Sequence, residues 1–322
     1  MRVGEAARSL LAGEVLAFPT ETVYGLGGDA LNSQAVGKIF ALKGRPADHP
    51  LIVHIHSAAT LSRWAADVPA SAQALIDRYW PGPLTLILRK STHVPDAVTG
   101  GQASVGLRCP SHPLARELLR EFERIGSGAV AAPSANRFGH VSPTTAAHVR
   151  DEFGGEVPVL DGGDCEVGLE STIVDLSRGV PVLVRPGAIS RAQLAEALGE
   201  QPRERDAHAP RASGTLAAHY APRTSLVLAE PGALDALVRA GPAPAVLALR
   251  DRPAGVDIAA WIVAPREPAA YGHDLYANLR RLDTIGAPRI VVETPPSAAA
   301  WEAVNDRLKR AAAATPPPGD EP

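Results

Sequence analysis

The sequence has few cysteines and no long apolar run, and each shortage excludes a class of protein. Its 322 residues include two cysteines, too few for a disulfide scaffold or a four-thiolate metal site. No apolar run approaches the roughly 20 residues that a membrane-spanning helix needs. Glu5 and Glu14 interrupt the apolar residues of the N-terminus, so no signal peptide is predicted. We therefore expect a cytoplasmic protein without membrane association.

An excess of positive charge is also missing. The chain has 32 Lys and Arg residues against 35 Asp and Glu, for a formal net charge of −3. A chain that acts mainly by binding RNA needs a basic surface, usually with aromatic stacking platforms, and aromatic residues make up only 4% here. We expect no strong direct binding of nucleic acid. An anionic ligand would have to be held by a local cluster of Lys and Arg.

The order of hydrophobic patterns predicts an α/β protein with two domains. Short β-branched runs alternate with Ala- and Leu-rich segments of helical period over residues 1–200. Residues 201–224 are polar, rich in Arg, Pro and Ala, and are predicted to be a linker. A smaller α/β domain is predicted at 225–314. The Pro- and acid-rich tail at 315–322 is predicted to be disordered.

Two polar motifs have the composition of a phosphate-binding site. Lys43 and Arg45 flank a glycine after a helix predicted at 33–42, and in an extended segment both would point the same way. Ser134 and Asn136 follow an apolar run, where ligands gather at the carboxyl ends of strands. The alternatives are a solvated helix terminus for the first motif and a simple Ser or Asx turn for the second. We expect both cations to lie outside the core.

A third polar motif occupies the predicted strand at 104–108. Its two apolar residues would face the core, while Ser104 and Arg108 share the opposite face. A buried arginine needs an anion, which is either a ligand or the carboxylate of a structural ion pair, and the sequence leaves both open. The Gly-rich segment at 19–28 matches neither a P-loop nor a dinucleotide fingerprint and is predicted to be a loop.

Eight short motifs, taken together and in this order, resemble the YrdC-like threonylcarbamoyl-AMP synthase family. They are PTETVYGL (19–26), KGRP (43–46), PLIVHI (50–55), WPGPLT (80–85), VGLRCP (105–110), APSAN (132–136), GLESTIVD (168–175) and RPGAI (185–189). The HYAP sequence at 219–222 and the unit after it resemble the long form of the family. The resemblance implies a YrdC-like catalytic domain with a twisted α/β sheet, followed by a smaller Rossmann-like α/β domain.

The resemblance also implies an activity. The family are L-threonylcarbamoyladenylate synthases, nucleotidyltransferases that convert L-threonine, bicarbonate or CO2, and ATP into threonylcarbamoyl-AMP and pyrophosphate. This is the first step of threonylcarbamoyladenosine formation in tRNA, and a downstream tRNA threonylcarbamoyl transferase complex would receive the adenylate. Mg2+ would be coordinated by the ATP phosphates, without metal ligands from the protein. The alternatives are an RNA-binding module without turnover and carbamoyl transfer in hydrogenase maturation, which requires zinc-finger cysteines that this chain lacks.

The family pattern assigns two sets of site residues and places catalysis on Lys43 and Arg45. The ATP-binding set is Lys43, Arg45, His49, Ser104, Ser134, Asn136, Ser142, Arg185 and Tyr220. The threonine-binding set is Thr22, His54, Arg108, Ala132 and Ser171. Within these sets Arg108 would take the threonine carboxylate, and Tyr220 would close over the nucleotide. His49 stands where many relatives carry asparagine.

Overall fold

The computed structural model describes residues 1–314, which form two compact units. The first unit comprises Met1–Phe138 and Pro143–Thr215, and the second comprises Gly139–Ser142 and the chain from Leu216 onward. The tail predicted to be disordered, residues 315–322, lies outside the described residues. Within residues 1–314, no helix is both long enough and apolar enough to cross a lipid bilayer.

The first unit is built on a mixed nine-stranded sheet. Its strands are β1 (Leu16–Phe18), β2 (Gly25–Asp29), β3 (Ile52–Ile55), β4 (Leu84–Arg89), β5 (Ser104–Arg108), β6 (Ala129–Ala131), β7 (Thr172–Asp175), β8 (Val182–Arg185) and β9 (Arg203–Glu204). They follow the order β1-β2-β6-β3-β5-β4-β7-β8-β9. The β3–β5, β4–β7 and β8–β9 pairs are parallel, and the remaining neighbours are antiparallel.

Seven α-helices accompany this sheet. They are α1 (Val3–Leu11), α2 (Ser33–Lys43), α3 (Ala70–Tyr79), α4 (Asp96–Thr99), α5 (Pro113–Ile125), α6 (Ala146–Phe153) and α7 (Arg191–Leu198). Asn32 caps the N-terminus of helix α2, and its side chain accepts hydrogen bonds from two backbone amides of the first turn. Gly44 caps the C-terminus, and its left-handed φ of +63° closes the last turn. These two caps fix where the chain leaves the helix toward Arg45.

Apolar residues of the strands alternate between the two faces of the sheet. Leu16 and Phe18 of β1 pack with α1 and α5 on one face, while Ala17 joins the larger core on the other. A third, smaller cluster contains Ile52 and Ile87 together with apolar residues of β7 and β8. This third cluster lies on the face of β3 and β4 opposite the large core, next to the polar residues described below.

The prediction that residues 19–28 form a loop was wrong for its second half, which is strand β2. The glycines of β2 serve close packing between strands. A Cβ atom on Gly27 would lie 2.6 Å from Cγ1 of Val130 and 2.7 Å from Cε1 of Phe18, closer than real contacts allow. Because β2 lies between β1 and β6, glycine is needed there for space, which the sequence alone does not distinguish from a need for flexibility.

The second unit is a smaller α/β layer structure. Its strands are β10 (Leu226–Ala229), β11 (Ala245–Ala248), β12 (Ala260–Val263) and β13 (Ile290–Glu293), and its helices are α8 (Leu234–Arg239), α9 (Pro268–Asp283) and α10 (Glu302–Ala313). The strands pair in the order β10-β13-β11-β12, and every pair is parallel. The predicted fold class, a large mixed α/β domain with a smaller Rossmann-like α/β domain, is confirmed.

Candidate active site

Lys43 and Arg45 are buried, contrary to the expectation that they lie outside the core. Their exposed fractions are 3% and 7%. Lys43 is the last residue of α2, so it is helical where an extended conformation was expected. Its ammonium donates hydrogen bonds to the carbonyl oxygen of Ser134, at 2.6 Å, and to that of Asn136. Burial holds the pKa of Lys43 well below its ordinary value, and the neighbouring Arg45 lowers it further.

Arg45 connects three segments around the same point. Its guanidinium donates to the carbonyl oxygen of Pro50 at 3.0 Å and to the hydroxyl of Ser213 at 3.2 Å. It also lies over the ring of Phe138, 5.7 Å from the centroid. His49 packs edge-on against the same ring at 5.4 Å, and burial, followed by the charge of Arg45, lowers the pKa of His49. Phe138 is thus an aromatic wall between two predicted ATP-binding residues.

Ser134 and Asn136 lie on a segment that extends β6 along β2. Leu26 N donates to the carbonyl oxygen of Pro133 at 2.8 Å, and Ala135 N donates to that of Tyr24 at 2.8 Å. Beyond this pairing, the amide of Asn136 donates to the carbonyl oxygen of Arg137 at 2.7 Å. These bonds and the two bonds from Lys43 bring both predicted phosphate motifs together.

Strand register aligns the polar residues of the predicted threonine set. His54 on β3 is paired with Arg108 on β5, and Arg108 is paired with Thr85 on β4. Because directly paired residues point to the same face of a sheet, these three side chains form a polar row across adjacent strands. The Thr85 hydroxyl lies 2.8 Å from that of Ser171, which extends the row to the segment before β7. Thr85 had not been singled out from the sequence.

Arg108 forms a buried ion pair with Glu21. The two residues are 4% and 2% exposed, and Nη2 of Arg108 lies 2.8 Å from Oε1 of Glu21. In residues 1–314, however, neither of these atoms makes an aligned hydrogen bond, and Nε of Arg108 also has no partner. The other Glu21 oxygen accepts from the amide of Ser111 at 3.1 Å. The structural ion pair that the sequence left open is therefore present, and two donors of the guanidinium remain unused.

His54 is held neutral. Burial is the main cause and the positive charge of Arg108 the second, and together they lower the pKa of His54 to about 3. Its ring packs edge-on against Phe18 at 5.8 Å. At physiological pH the imidazole is therefore uncharged, with one nitrogen able to donate and the other to accept a hydrogen bond.

The remaining predicted threonine residues flank this row. Thr22 is fully buried, and its hydroxyl lies 2.8 Å from that of Thr20. Ala132 is buried and donates its amide to the carbonyl oxygen of Ile52 at 2.9 Å. These contacts place both residues in the packed interior of the first unit, beside β3 in the case of Ala132.

Arg185 links the threonine set to the segment after β9. Its guanidinium donates to the carbonyl oxygen of Ser171 from Nε at 3.1 Å and from Nη2 at 2.9 Å, and Nη2 is also 3.1 Å from the Ser171 hydroxyl. Nη1 donates to the carbonyl oxygen of Ser213 at 2.9 Å. Ser213 thus contacts both Arg45 and Arg185, the two arginines assigned to the nucleotide.

A cleft opens beside these residues. Ser104, Gly106 and Ile87 form part of its floor, and residues 211–213 line one side. Arg211 fastens that side, because its backbone pairs with the side-chain amide of Gln102 at 2.7 and 3.1 Å, and its guanidinium reaches Asp48 at 3.1 Å. The predicted linker thus contributes a wall to the first unit.

Two predicted ATP-binding residues belong to the second unit. Ser142 is fully buried. Tyr220 is 1% exposed, has an unusual left-handed φ of +64°, and stacks on Tyr276 with ring centroids 5.8 Å apart. The guanidinium of Arg307 lies 5.3 Å from the Tyr220 ring centroid. The position of Tyr220 is therefore fixed by aromatic and cation contacts within the second unit.

Comparison with known proteins places this geometry in a family. A family model described as "Telomere recombination", which covers the Sua5, YciO and YrdC proteins, matches residues 8–187. The chain belongs to the Sua5/YciO/YrdC family. A second model, described as "Threonylcarbamoyl-AMP synthase, C-terminal domain", matches residues 189–313.

Relatives of this Sua5/YciO/YrdC chain carry one activity name. A threonylcarbamoyl-AMP synthase of Pyrococcus abyssi is 44% identical over 231 residues, which are 70% of this chain and 67% of that protein. A threonylcarbamoyl-AMP synthase of Bacillus subtilis is 38% identical over 97% of this chain and 93% of that protein. The crystal structure of P. abyssi Sua5 complexed with L-threonine has a TM-score of 0.87 at 35% identity, covering 97% of this chain and 94% of that one. The predicted resemblance is confirmed.

Four residues that contact the predicted site were not identified from the sequence: Glu21, Thr85, Phe138 and Ser213. Glu21 and Thr85 lie within the quoted family motifs PTETVYGL and WPGPLT, and this membership was the sequence signal available for them. Phe138 and Ser213 carry no such signal, because their contacts join segments far apart in the chain.

Proposed function

We propose that this chain is an L-threonylcarbamoyladenylate synthase that makes threonylcarbamoyl-AMP and pyrophosphate from ATP, L-threonine and bicarbonate or CO2. The observation that carries the proposal is the connection, within the first unit, of the Lys43/Arg45 cluster to the polar row of His54, Arg108 and Thr85. Hydrogen bonds through Ser213, Arg185 and Ser171 make this connection. The first cluster suits a polyphosphate and the second suits an amino acid. The family names and the threonine complex of the P. abyssi relative support the same assignment.

The ATP phosphates are assigned to Lys43, Arg45, Ser134 and Asn136. Two segments bring these residues to one place, and burial of Lys43 and Arg45 removes the water that would screen their charge. Arg185, His49 and Ser104 are assigned to the rest of the nucleotide, and Ser142 and Tyr220 are assigned to it on the family pattern alone. Magnesium enters as part of the MgATP substrate. Among the described residues, no group of three or more His, Cys, Asp or Glu side chains is arranged to hold a metal ion.

Threonine is assigned to the polar row. The unused Nε and Nη2 donors of Arg108 match the two oxygens of a carboxylate. Neutral His54, with Thr22, Ser171 and the backbone around Ala132, supplies hydrogen-bonding groups for the amine and hydroxyl. Threonine is therefore held by its carboxylate while its amine stays available for carbamate formation.

The chemistry then requires positioning and charge neutralisation. The threonine amine adds to CO2 with loss of a proton, or condenses with bicarbonate with loss of water, to give a carbamate. The carbamate oxygen then attacks the α-phosphorus of ATP, and pyrophosphate leaves. The nucleophile is already an anion, so no activated serine or cysteine is needed. Lys43 and Arg45 hold the triphosphate and offset its charge as the phosphorus–oxygen bond breaks. We place this reaction in the cytoplasm, with a tRNA threonylcarbamoyl transferase complex as recipient of the adenylate.

The segment around Ser213 is assigned as the wall that shelters the adenylate. Its contacts with Arg45 and Arg185 couple its position to the two arginines that bind the nucleotide. A wall that excludes water would protect a labile mixed anhydride from hydrolysis. Residues 201–224 then act as an active-site linker between a catalytic domain at 1–200 and a C-terminal domain at 225–314.

Pyrophosphate release from ATP by the purified protein, with and without L-threonine and bicarbonate, tests the proposal. Release that requires both substrates is expected. Arg45→Ala should abolish it, whereas Lys38→Ala, which removes an exposed cation from the preceding helix α2, should retain it. Absence of release under every condition, together with salt-sensitive RNA affinity, would replace the synthase by the RNA-binding alternative.

A further inference from the structure

Glu21 is a buried carboxylate to which the proposed reaction assigns no role. Its side chain is 3% exposed, and each carboxylate oxygen has a neighbour. One oxygen accepts a hydrogen bond from the Ser111 amide, and the other lies beside Nη2 of Arg108. The backbone carbonyl of Glu21 also accepts from Val167 N at 2.7 Å. These contacts hold the carboxylate beside Arg108 independently of any ligand.

Glu21 balances the charge of Arg108 without forming aligned hydrogen bonds to its guanidinium. The Nη2–Oε1 distance is 2.8 Å, yet among residues 1–314 neither atom completes an aligned hydrogen bond, and Nε of Arg108 is also without one. A carboxylate that served only to satisfy Arg108 would be expected to form the bidentate geometry that this pair favours. Here Glu21 offsets the charge, and the donors at Nε and Nη2 are left for a second carboxylate.

The group formed by Arg108, its ion-pair partner Glu21 and its strand neighbour His54 carries no net charge. Arg108 contributes one positive charge and Glu21 one negative charge. His54, the strand neighbour of Arg108, is neutral, with a pKa of about 3. A neutral pocket matches a ligand with no net charge that nevertheless carries a carboxylate, which describes a zwitterionic α-amino acid. A pocket with net positive charge would instead favour a simple carboxylate anion.

We infer that Glu21 is a positioning and specificity residue, which acts through Arg108 and selects an amino acid over the corresponding carboxylic acid. This inference rests on the proposed function, because it takes Arg108 as the group that binds the threonine carboxylate. Glu21 itself contacts Arg108 and not the reacting atoms. Its charge sets how strongly Arg108 attracts anions that lack an amine.

The test compares L-threonine with 3-hydroxybutyrate, which is threonine without its amine, on wild type and Glu21→Gln at pH 7.5. The variant keeps the shape and the acceptor for Ser111 but removes the charge. Titration calorimetry should show threonine binding weakened about tenfold and 3-hydroxybutyrate binding strengthened about tenfold. In the pyrophosphate assay, KM for threonine should rise while kcat and KM for ATP stay within about threefold of wild type. Glu14→Gln, which removes a solvent-exposed acid of the same unit, should change neither ligand.

A purely structural role for Glu21 would not make threonine and 3-hydroxybutyrate respond in opposite directions. If both ligands weaken together, or neither changes, Glu21 is only a structural partner of Arg108 and the inference is overturned. Should Glu21→Gln fail to fold, Glu21→Asp, which withdraws the carboxylate by one methylene, must show the same two directions with smaller changes. Calorimetry needs no turnover, so the expected binding pattern without pyrophosphate release would retain the inference and refute the proposed reaction.

Discussion

Lowering the pH from 7.5 to 5.0 should destabilise the first unit through His54. The native imidazole has a pKa of about 3, whereas the unfolded chain has the ordinary value of about 6.5. His54 therefore takes up a proton in the unfolded state but stays neutral in the native state. The free energy of unfolding consequently falls as the pH drops below about 6.5 toward 3. At pH 5.0 this linkage costs the folded state about 2 kcal/mol relative to pH 7.5. Any native pKa below about 4 gives the same figure, because the native imidazole is then neutral at pH 5.0.

Urea unfolding followed by pulsed hydrogen exchange measures this cost in each unit separately. Peptides from β3 and β5 report on the first unit, which contains His54. Peptides from β13 report on the second unit, which does not contain it. His54→Asn removes the titration but leaves every other ionisable group in place. Wild type should lose about 2 kcal/mol more than the variant between the two pH values, in the first unit only. Equal losses in wild type and variant would refute the reasoning that His54 is buried neutral.

Four further predictions concern particular contacts. Lys43→Met should abolish turnover and also lower the free energy of unfolding by about 2–4 kcal/mol, since two buried carbonyls lose their donor; an unchanged melting temperature would contradict this. Gly27→Ala should destabilise the first unit by about 1–3 kcal/mol, because its Cβ would overlap Phe18, and wild-type stability in urea would disprove the close packing. Gln102→Ala should speed amide exchange in residues 209–213 about tenfold by removing two hydrogen bonds, and unaltered exchange would show that the segment is held elsewhere. Burial raises the pKa of the Cys109 thiol to about 11, so at pH 8 it should react with a disulfide reagent only after unfolding, and fast labelling of the native protein would count against that burial.

The predicted elements that matched the structure are those set by local sequence. Helix α2 was placed within one residue of its observed end, because Asn32 and Gly44 cap it by contacts with adjacent residues. Strand β5 matched its predicted bounds, since its alternation of apolar and polar residues spans only five positions. The order of the short motifs was likewise enough to identify the family and to predict both α/β layers.

Burial of charge was decided by tertiary structure. Lys43 was expected at the surface because a cation at a helix C-terminus is usually solvated. The structure buries it, since the segment after β6 lies against the end of α2 and offers two carbonyl oxygens. No local pattern encodes that approach, because the partners are about ninety residues away in the chain.

The sequence by itself determined the family, the α/β class and the residue types from which a phosphate site and an amino-acid site can be made, because these follow from short motifs and local periodicity. Only the tertiary structure decided that Arg108 forms an ion pair with Glu21, that Thr85 belongs to the polar row, and that Ser213 contacts two arginines of the predicted site. The physical reason is strand register: pairing between β3, β5 and β4 brings distant residues side by side, and a shift of one residue would turn each side chain to the opposite face.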